Sequence, residues 1–478
     1  MAASAVALCL SAGMAKADTL REALISAYET NPVLTGARAG QRAVDENVVI
    51  ARADGLPSVG AQAQYQENLK TSANSFTSPS RQLTGGVNLT VPIYSGGAVR
   101  NAVNAAKDRV QAGQADLRAT EASIFSNVVA AYMDVMRDEA IVQLNRANVG
   151  VLDVNLQATN DRFEIGDLTR TDVAQSESRL AIARSDLQGA ESNLIRSREI
   201  YIQLVGHAPG QLEAPPPLPN LPESPDIAVA VALDNNPDLI AARERYEASE
   251  DDVRTARASR LPRLELYTQG NYANFLGTLG GNVAGGSFVQ EQTTAEAGAR
   301  VTVPIFQGGQ PSARIRQAQA RSGQAMENEI AIERDVIAQT RAAYSSWQAS
   351  LQVIQSSQIA VDASGLALEG VRAENSVGNR TILDILDAER EYLNAQVQLV
   401  AARRNAYVAG FSLLAAMGKA EARDLGLDGG VLYDPQDNYQ RVKGKFFDWS
   451  EDPAPEAEAT RTVDTQAQNA AIIGPLDE

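Results

Sequence analysis

Four stretches of the chain alternate apolar and polar residues with a period of two. From Val59 to Leu69, Val59, Ala61, Ala63 and Tyr65 share one face, and Gly60, Gln62, Gln64, Gln66 and Asn68 the other. From Leu83 to Ile93, Leu83, Val87, Leu89, Val91 and Ile93 oppose Thr84, Asn88 and Thr90. Leu264, Leu266 and Tyr272 oppose Glu265, Gln269 and Asn271; Ala295, Ala297, Ala299, Val301, Val303 and Ile305 oppose Glu296, Arg300 and Thr302. This period predicts strands with one apolar and one polar face. Their length, roughly 11 to 14 residues, is that of strands in a transmembrane barrel. A soluble half-buried sheet alternates in the same way. Two features favour the membrane: the polar, Gly/Ser-rich loops at 70–81 and 276–292, and the flanking helices, which are too long to cover so small a sheet.

The rest of the chain carries helical periodicity. Thr19 to Asp54 is predicted as one helix, with Pro57 just past its end. From Ala98 to about Asn160 there is no proline, and the only glycines are Gly113 and Gly150. That predicts a rod of roughly 95 Å. Its counterpart runs from Ser312 to about Asn375. The apolar residues of the first rod are mostly small, including Ala102, Ala105, Ala106 and Ala115, which suits close coiled-coil packing. Shorter helices, about Thr171 to Leu204 and Ile382 to Met417, follow breaks at Gly166 and Gly378 and are expected to fold back on the rods.

The pattern occurs twice. "TNPVL" at 30–34 returns as "NNPDL" at 235–239, "LTVPIYSGG" at 89–97 as "VTVPIFQGG" at 301–309, and "FEIGDLTRTDV" at 163–173 as "NSVGNRTILDI" at 375–385. The expected organisation is a signal peptide at 1–17, a first repeat at 18–205, a Pro-rich linker at 206–225, a second repeat at 226–418, and an equatorial segment with a disordered acidic tail at 419–478. In the repeats the hairpins are expected at 57–94 and 262–306, the long helices at 97–160 and 309–375, and the short helices at 168–205 and 381–418.

Composition narrows the function. The net charge is −17, and a chain this acidic has no cationic excess for phosphates, so nucleic acid is not an expected partner. Residues 1–17 pair an apolar core with Ala15-Lys16-Ala17, the mark of secretion, though the missing cationic start leaves the true beginning of that segment open. The only cysteine, Cys9, falls inside it, so no thiol is expected in the mature chain. No later stretch has about 20 consecutive apolar residues. The sole histidine, His207, sits in the linker and reads as a solvated loop residue. No metal cluster, nucleophile or phosphate loop is legible, so neither an enzyme nor a cofactor is expected.

Four strands cannot close a barrel, and an open edge in lipid costs several kcal/mol per unpaired backbone group. The chain is therefore expected to oligomerise, and strand count does not choose between two copies and three. The repeated "VPI[YF]xGG" is expected where a membrane strand becomes a long helix. Pro92 and Pro304 end the ladder, Tyr94 and Phe306 lie at the interfacial level, and Gly96, Gly97, Gly308 and Gly309 permit the change of direction.

The ordered set "NPVL"/"NPDL", "LPSV"/"LPRL", the two strand–helix junctions, "RFEIGDLTRTDV" at 162–173 and "SVGNRTILDILDAEREYLNAQ" at 376–396 resembles the TolC family of outer-membrane efflux and secretion ducts from Thr19 to about Gly418. The resemblance implies a fold that is mostly α with β: a homotrimer whose twelve-stranded β-barrel in the outer membrane continues as a long α-helical barrel through the periplasm. It implies a passive conduit for efflux or type I protein secretion, with outer-membrane lipid, a periplasmic adaptor and an inner-membrane ABC or proton-driven pump as partners. It leaves open whether the cargo is a secreted polypeptide or small toxic compounds. It also implies a periplasmic gate. Asp384 and Asp387 match its constriction, Asp172 and Arg380 a salt link holding it shut, and Asn375 a position where the family often has tyrosine. Asp384 and Asp387 are three residues apart and share a helix face. Three copies form a ring that favours cations, while a solvated helix start also suits acids. Asp172 and Arg380 are equally compatible with ordinary surface charges. The alternative function is a soluble periplasmic coiled-coil scaffold or adaptor.

Overall fold

The computed structural model describes residues 18–70, 78–280, 288–427 and 432–472. The expected signal and the outer parts of both hairpin loops lie outside the described residues. The first repeat comprises α1 (Leu20–Thr30), α2 (Pro32–Ala53), β1 (Ser58–Glu67), β2 (Arg81–Tyr94), α3 (Ala98–Glu164) and α4 (Arg170–Val205). The second comprises α5 (Pro225–Asn235), α6 (Pro237–Ala258), β3 (Arg263–Asn274), β4 (Glu291–Thr302), α7 (Gln310–Ser376) and α8 (Ile382–Ala416). α3 and α7 each have 67 residues, rods of about 100 Å.

The helix expected from Thr19 to Asp54 is two helices. Pro32 lacks an N–H and pushes the preceding residue out of the α region, so Asn31 is extended at φ −69°, ψ 123°. Its Oδ1 accepts from Val33 N at 3.0 Å, and its Nδ2 donates to the Leu204 carbonyl at 2.9 Å. The second repeat does the same. Asn236 Oδ1 accepts from Asp238 N at 3.0 Å, and its Nδ2 donates to the Ala416 carbonyl at 3.0 Å. Each Asn-Pro therefore starts a new helix and pins it to the end of the returning helix of its own repeat.

The four strands form one antiparallel sheet in the order β1-β2-β3-β4, with the outer edges of β1 and β4 unpaired in the protomer. The register puts Ala61 opposite Val87, Val59 opposite Leu89, Val91 opposite Leu266, and Leu266 opposite Ala299, so one face is apolar across all four strands. Val59, Tyr65 and Val87 on that face are exposed in the protomer. The other face pairs Gln62 with Gly86, Asn88 with Gln269, and Glu265 with Arg300. The fourth strand, expected to reach Ile305, ends at Thr302. Pro304 cannot donate to a ladder and β4 is an edge, so nothing holds the chain extended there. In β2, whose pairing with β1 ends at Thr90 while that with β3 continues, Pro92 stays opposite Glu265 and a bulge follows at Ile93.

The main apolar core lies part-way down the rods, around Phe125, Tyr132, Leu194, Tyr201 and Leu414. The Tyr201 hydroxyl donates to Asp18 Oδ2 at 2.8 Å, and that of Tyr132 lies 2.9 Å from the Asp18 carbonyl and 2.7 Å from that of Glu213. Burial pushes both phenols well above the usual tyrosine range. The linker lies over this core, its Pro216 and Glu223 carbonyls held by Tyr407 and Tyr344 at 3.1 and 2.9 Å. The segment expected as a disordered tail is partly built. α9 (Pro435–Val442) docks on α2 through Asn438 Nδ2, which donates to buried Asp45 at 2.7 Å. Further on, buried Arg198 donates to the Asn469 carbonyl at 2.7 Å and Arg146 to that of Ala470 at 2.9 Å. Composition misses this because a few scattered apolar residues of the tail, Leu432, Tyr433, Val442 and Ile472 among them, find places on the helices, and side chains of those helices hold its backbone.

Candidate functional site

The sheet's polar face is a candidate pore lining. Glu265 and Arg300 pair at 2.9 Å, Arg300 lies 4.9 Å over the Tyr267 ring, and Gln269 donates to Glu296 at 3.1 Å. Glycines on this face carry the larger side chains opposite them. A Cβ on Gly86 would stand 2.6 Å from Asn271 Oδ1, and one on Gly298 2.9 Å from the Tyr267 hydroxyl.

At the strand–helix junctions, Gly96, Gly97, Gly308 and Gly309 have φ of 69°, 83°, 59° and 81°. Gly97 and Gly309 start α3 and α7 without a side-chain cap. A Cβ on Gly96 would also meet that of Leu261 at 2.7 Å. The bulge at Ile93 sets Tyr94 opposite Leu264, on the apolar face; an uninterrupted alternation puts it on the polar face with Pro92. Phe306, beyond the end of β4, is almost fully exposed. Pro92 sits in the sheet and Pro304 outside it.

At the far ends of the rods, the two repeats build the same turn. Gly166 and Gly378 have φ of 82° and 85° and close α3 and α7. Thr169 and Thr381 then cap α4 and α8. Asp172 Oδ2 accepts from Thr169 N at 2.8 Å and its hydroxyl at 2.7 Å; Asp384 Oδ2 accepts from Thr381 N at 2.9 Å and its hydroxyl at 2.7 Å. The threonine hydroxyls, and then the N–H groups, hold both carboxyls below the usual aspartate range. Arg380 pairs with Glu374 at 2.7 Å and lies 3.9 Å from Asp384; Asn375 Nδ2 donates to the Arg380 carbonyl at 2.7 Å. Among the described residues Asp172 has no ion pair, so one protomer does not bring Asp172 and Arg380 together.

Asp387 is paired. Arg179 on α4 reaches it at 2.7 Å and Arg390 at 3.5 Å. Beside this link, Leu386 packs with Leu152, Leu180 and Ala183. Buried Glu389 accepts from Asn155 on α3 at 3.1 Å and pairs with Arg372 on α7 at 3.0 Å. These contacts join the α3–α4 hairpin to the α7–α8 hairpin. Sequence reasoning missed Arg179 and Glu389. Arg179 lies one heptad after Asp172, on the same face; nothing in the sequence separates Glu389 from its acidic neighbours.

The profile of the family described as outer membrane efflux protein matches residues 23–207 and 228–419. The chain is 33% identical over 434 residues to the outer membrane efflux protein BepC of Brucella suis biovar 1 (strain 1330), covering 91% of this chain and 92% of that one. It is 27% identical over 413 residues to the outer membrane protein TolC of Vibrio cholerae serotype O1, covering 86% and 92%. The fold is similar to that of the Campylobacter jejuni CmeC outer membrane channel, with a TM-score of 0.74, 18% identity and 89% of each chain covered.

Proposed function

This chain belongs to the outer membrane efflux protein family, and on that premise we propose that three copies form a passive exit duct gated at its periplasmic tip. The carrying observation is a four-stranded sheet with one apolar and one polar face, open at both edges and continuous with two 67-residue helices. Three such sheets joined edge to edge make twelve strands with an apolar exterior and a polar lumen. A second protein that holds an inner-membrane pump, either an ABC or a proton-driven one, docks on the helical end, and cargo is handed through without chemistry.

In this reading the tip closes where α4 and α8 begin. Asp384 and Asp387 of three copies line the constriction and attract cations. Arg179 clamps Asp387 within each protomer, and opening separates the two helical hairpins and breaks that pair. The Asp172–Arg380 link forms between neighbouring protomers, since within one protomer each already serves its own turn. In planar bilayers, Asp384→Ala with Asp387→Ala is expected to raise single-channel conductance and weaken block by multivalent cations, and Arg179→Ala to raise open probability. Unchanged currents in both variants remove the assigned gate. Extraction of the chain without detergent as a soluble monomer removes the duct and favours a periplasmic scaffold.

A further inference from the structure

After α9, the chain reads "KGKFFDWSED" from 443 to 452. Phe446, Phe447 and Trp449 are 78%, 66% and 86% exposed. Three large aromatics held in water within four positions are costly, at about 1.5–3 kcal/mol of forgone burial each, and such a patch marks an interaction surface.

The segment is nevertheless fixed in place. Arg52, in the last turn of α2, donates to the Lys443 carbonyl at 2.5 Å and to that of Lys445 at 2.8 Å. Arg441 grips both oxygens of Asp452 at 2.8 Å, and Lys445 reaches the same carboxylate at 3.0 Å. These bonds tie the aromatic segment to the end of α2. Phe446 and Phe447 share a groove with Leu56, Pro57 and Val59, where α2 gives way to β1. In the register Ser58 faces Thr90 and Arg263 faces Thr302, so this is the end of the sheet at which β2 runs out at exposed Tyr94 and β4 runs out before exposed Phe306.

We propose that Phe446, Phe447 and Trp449 form a C-terminal foot that rests in the headgroup–acyl boundary of the outer membrane's periplasmic leaflet, beside the barrel rim. The occupant is phospholipid because the patch continues the apolar band of the sheet at its lower edge. Aromatic side chains are favoured at that depth. The inference rests on the membrane placement of the sheet and adds to it a contact outside the barrel.

The chain has two tryptophans. Trp347 packs near Leu413 and Met417, more than half-way along α7 from its membrane end, so bilayer quenchers reach only Trp449. The full-length trimer is reconstituted in phosphatidylcholine–phosphatidylglycerol vesicles whose acyl chains are brominated close to the headgroup. Wild-type emission is expected to fall, and Trp449→Phe to abolish that loss. Val87→Trp in the Trp449→Phe background, in vesicles brominated near the ends of the acyl chains, reports on the sheet itself. If Val87→Trp is quenched and wild type is not, the foot is overturned and the barrel stands; shielding of Trp449 from iodide then assigns the patch to a neighbouring copy. If neither is quenched, the membrane placement fails and the foot with it.

Discussion

The aspartates assigned to the gate each hold a helix start. Asp172 and Asp384 are equivalent by duplication, and each closes a capping box with the threonine three residues before it. The Thr-x-x-Asp spacing of that motif is plain in the sequence. The use of each carboxylate is not, because a cap, an ion pair and a pore ring all ask for an acid at a helix start. Loss of an N-cap hydroxyl costs about 1 kcal/mol, so Thr381→Ala is expected to speed amide exchange at the start of α8 while leaving α4 unchanged. The pH dependence has a definite sign. Both folded-state carboxyl pKa values are lowered, so the caps' contribution is present above the unfolded aspartate value, about 3.9, and is lost as pH falls through the lower folded values. Exchange at both turns, corrected for intrinsic rates, should be flat from pH 7 to pH 5 and rise only below about pH 4. A rise already at pH 6 rules out these caps as the controlling groups.

At the scale of elements, legibility followed the kind of force involved. The long helices were readable because proline is absent beyond the first turn of each and one glycine turn ends each. The strands were readable because alternation survives register. The break at Asn31-Pro32 was not, since apolar residues keep helical spacing across it: Leu24, Ala27 and Tyr28 before it and Leu34 after it are all buried. Pro32 forces the break, and the asparagine before it secures it, capping one helix and tying it to another about 170 residues away in sequence. Asn31→Ala removes the cap and strands the Leu204 carbonyl, an expected loss of about 1–3 kcal/mol. Asn236→Ala should cost about as much, and, with no shared partner, the two should add to within about 0.5 kcal/mol. The temperature at which the trimer dissociates on electrophoresis gives the comparison; a double variant no worse than either single one argues that the two repeats do not hold their kinks independently.

The whole molecule is the scale at which one chain stops being sufficient. Its sheet leaves two edges open, which lipid does not tolerate unless other copies complete the wall, and an apolar face exposed, which water does not tolerate unless lipid covers it. Copy number was beyond strand counting, since two sheets or three satisfy the same pairing rule; it came instead from family membership. What the physics of one chain does fix is which face meets lipid, and adjacent residues test it. Val87 lies on the apolar face and Asn88 on the polar face of β2. An arginine facing lipid near mid-bilayer costs about 2–4 kcal/mol, so Val87→Arg is expected to reduce assembled trimer in outer-membrane fractions. Asn88→Arg extends toward the lumen of the proposed barrel, past Gly60, which has no side chain in its way; a Cβ there would stand 3.0 Å from the Asn88 Oδ1. It should leave trimer yield near wild type and shift the reversal potential of reconstituted channels toward anions. The opposite result, with Asn88→Arg blocking assembly and Val87→Arg altering selectivity, means that the sheet closes with its faces reversed. A twelve-stranded wall with Gln62, Gln269 and Glu296 turned to the lipid cannot persist there, so that outcome overturns the membrane barrel itself.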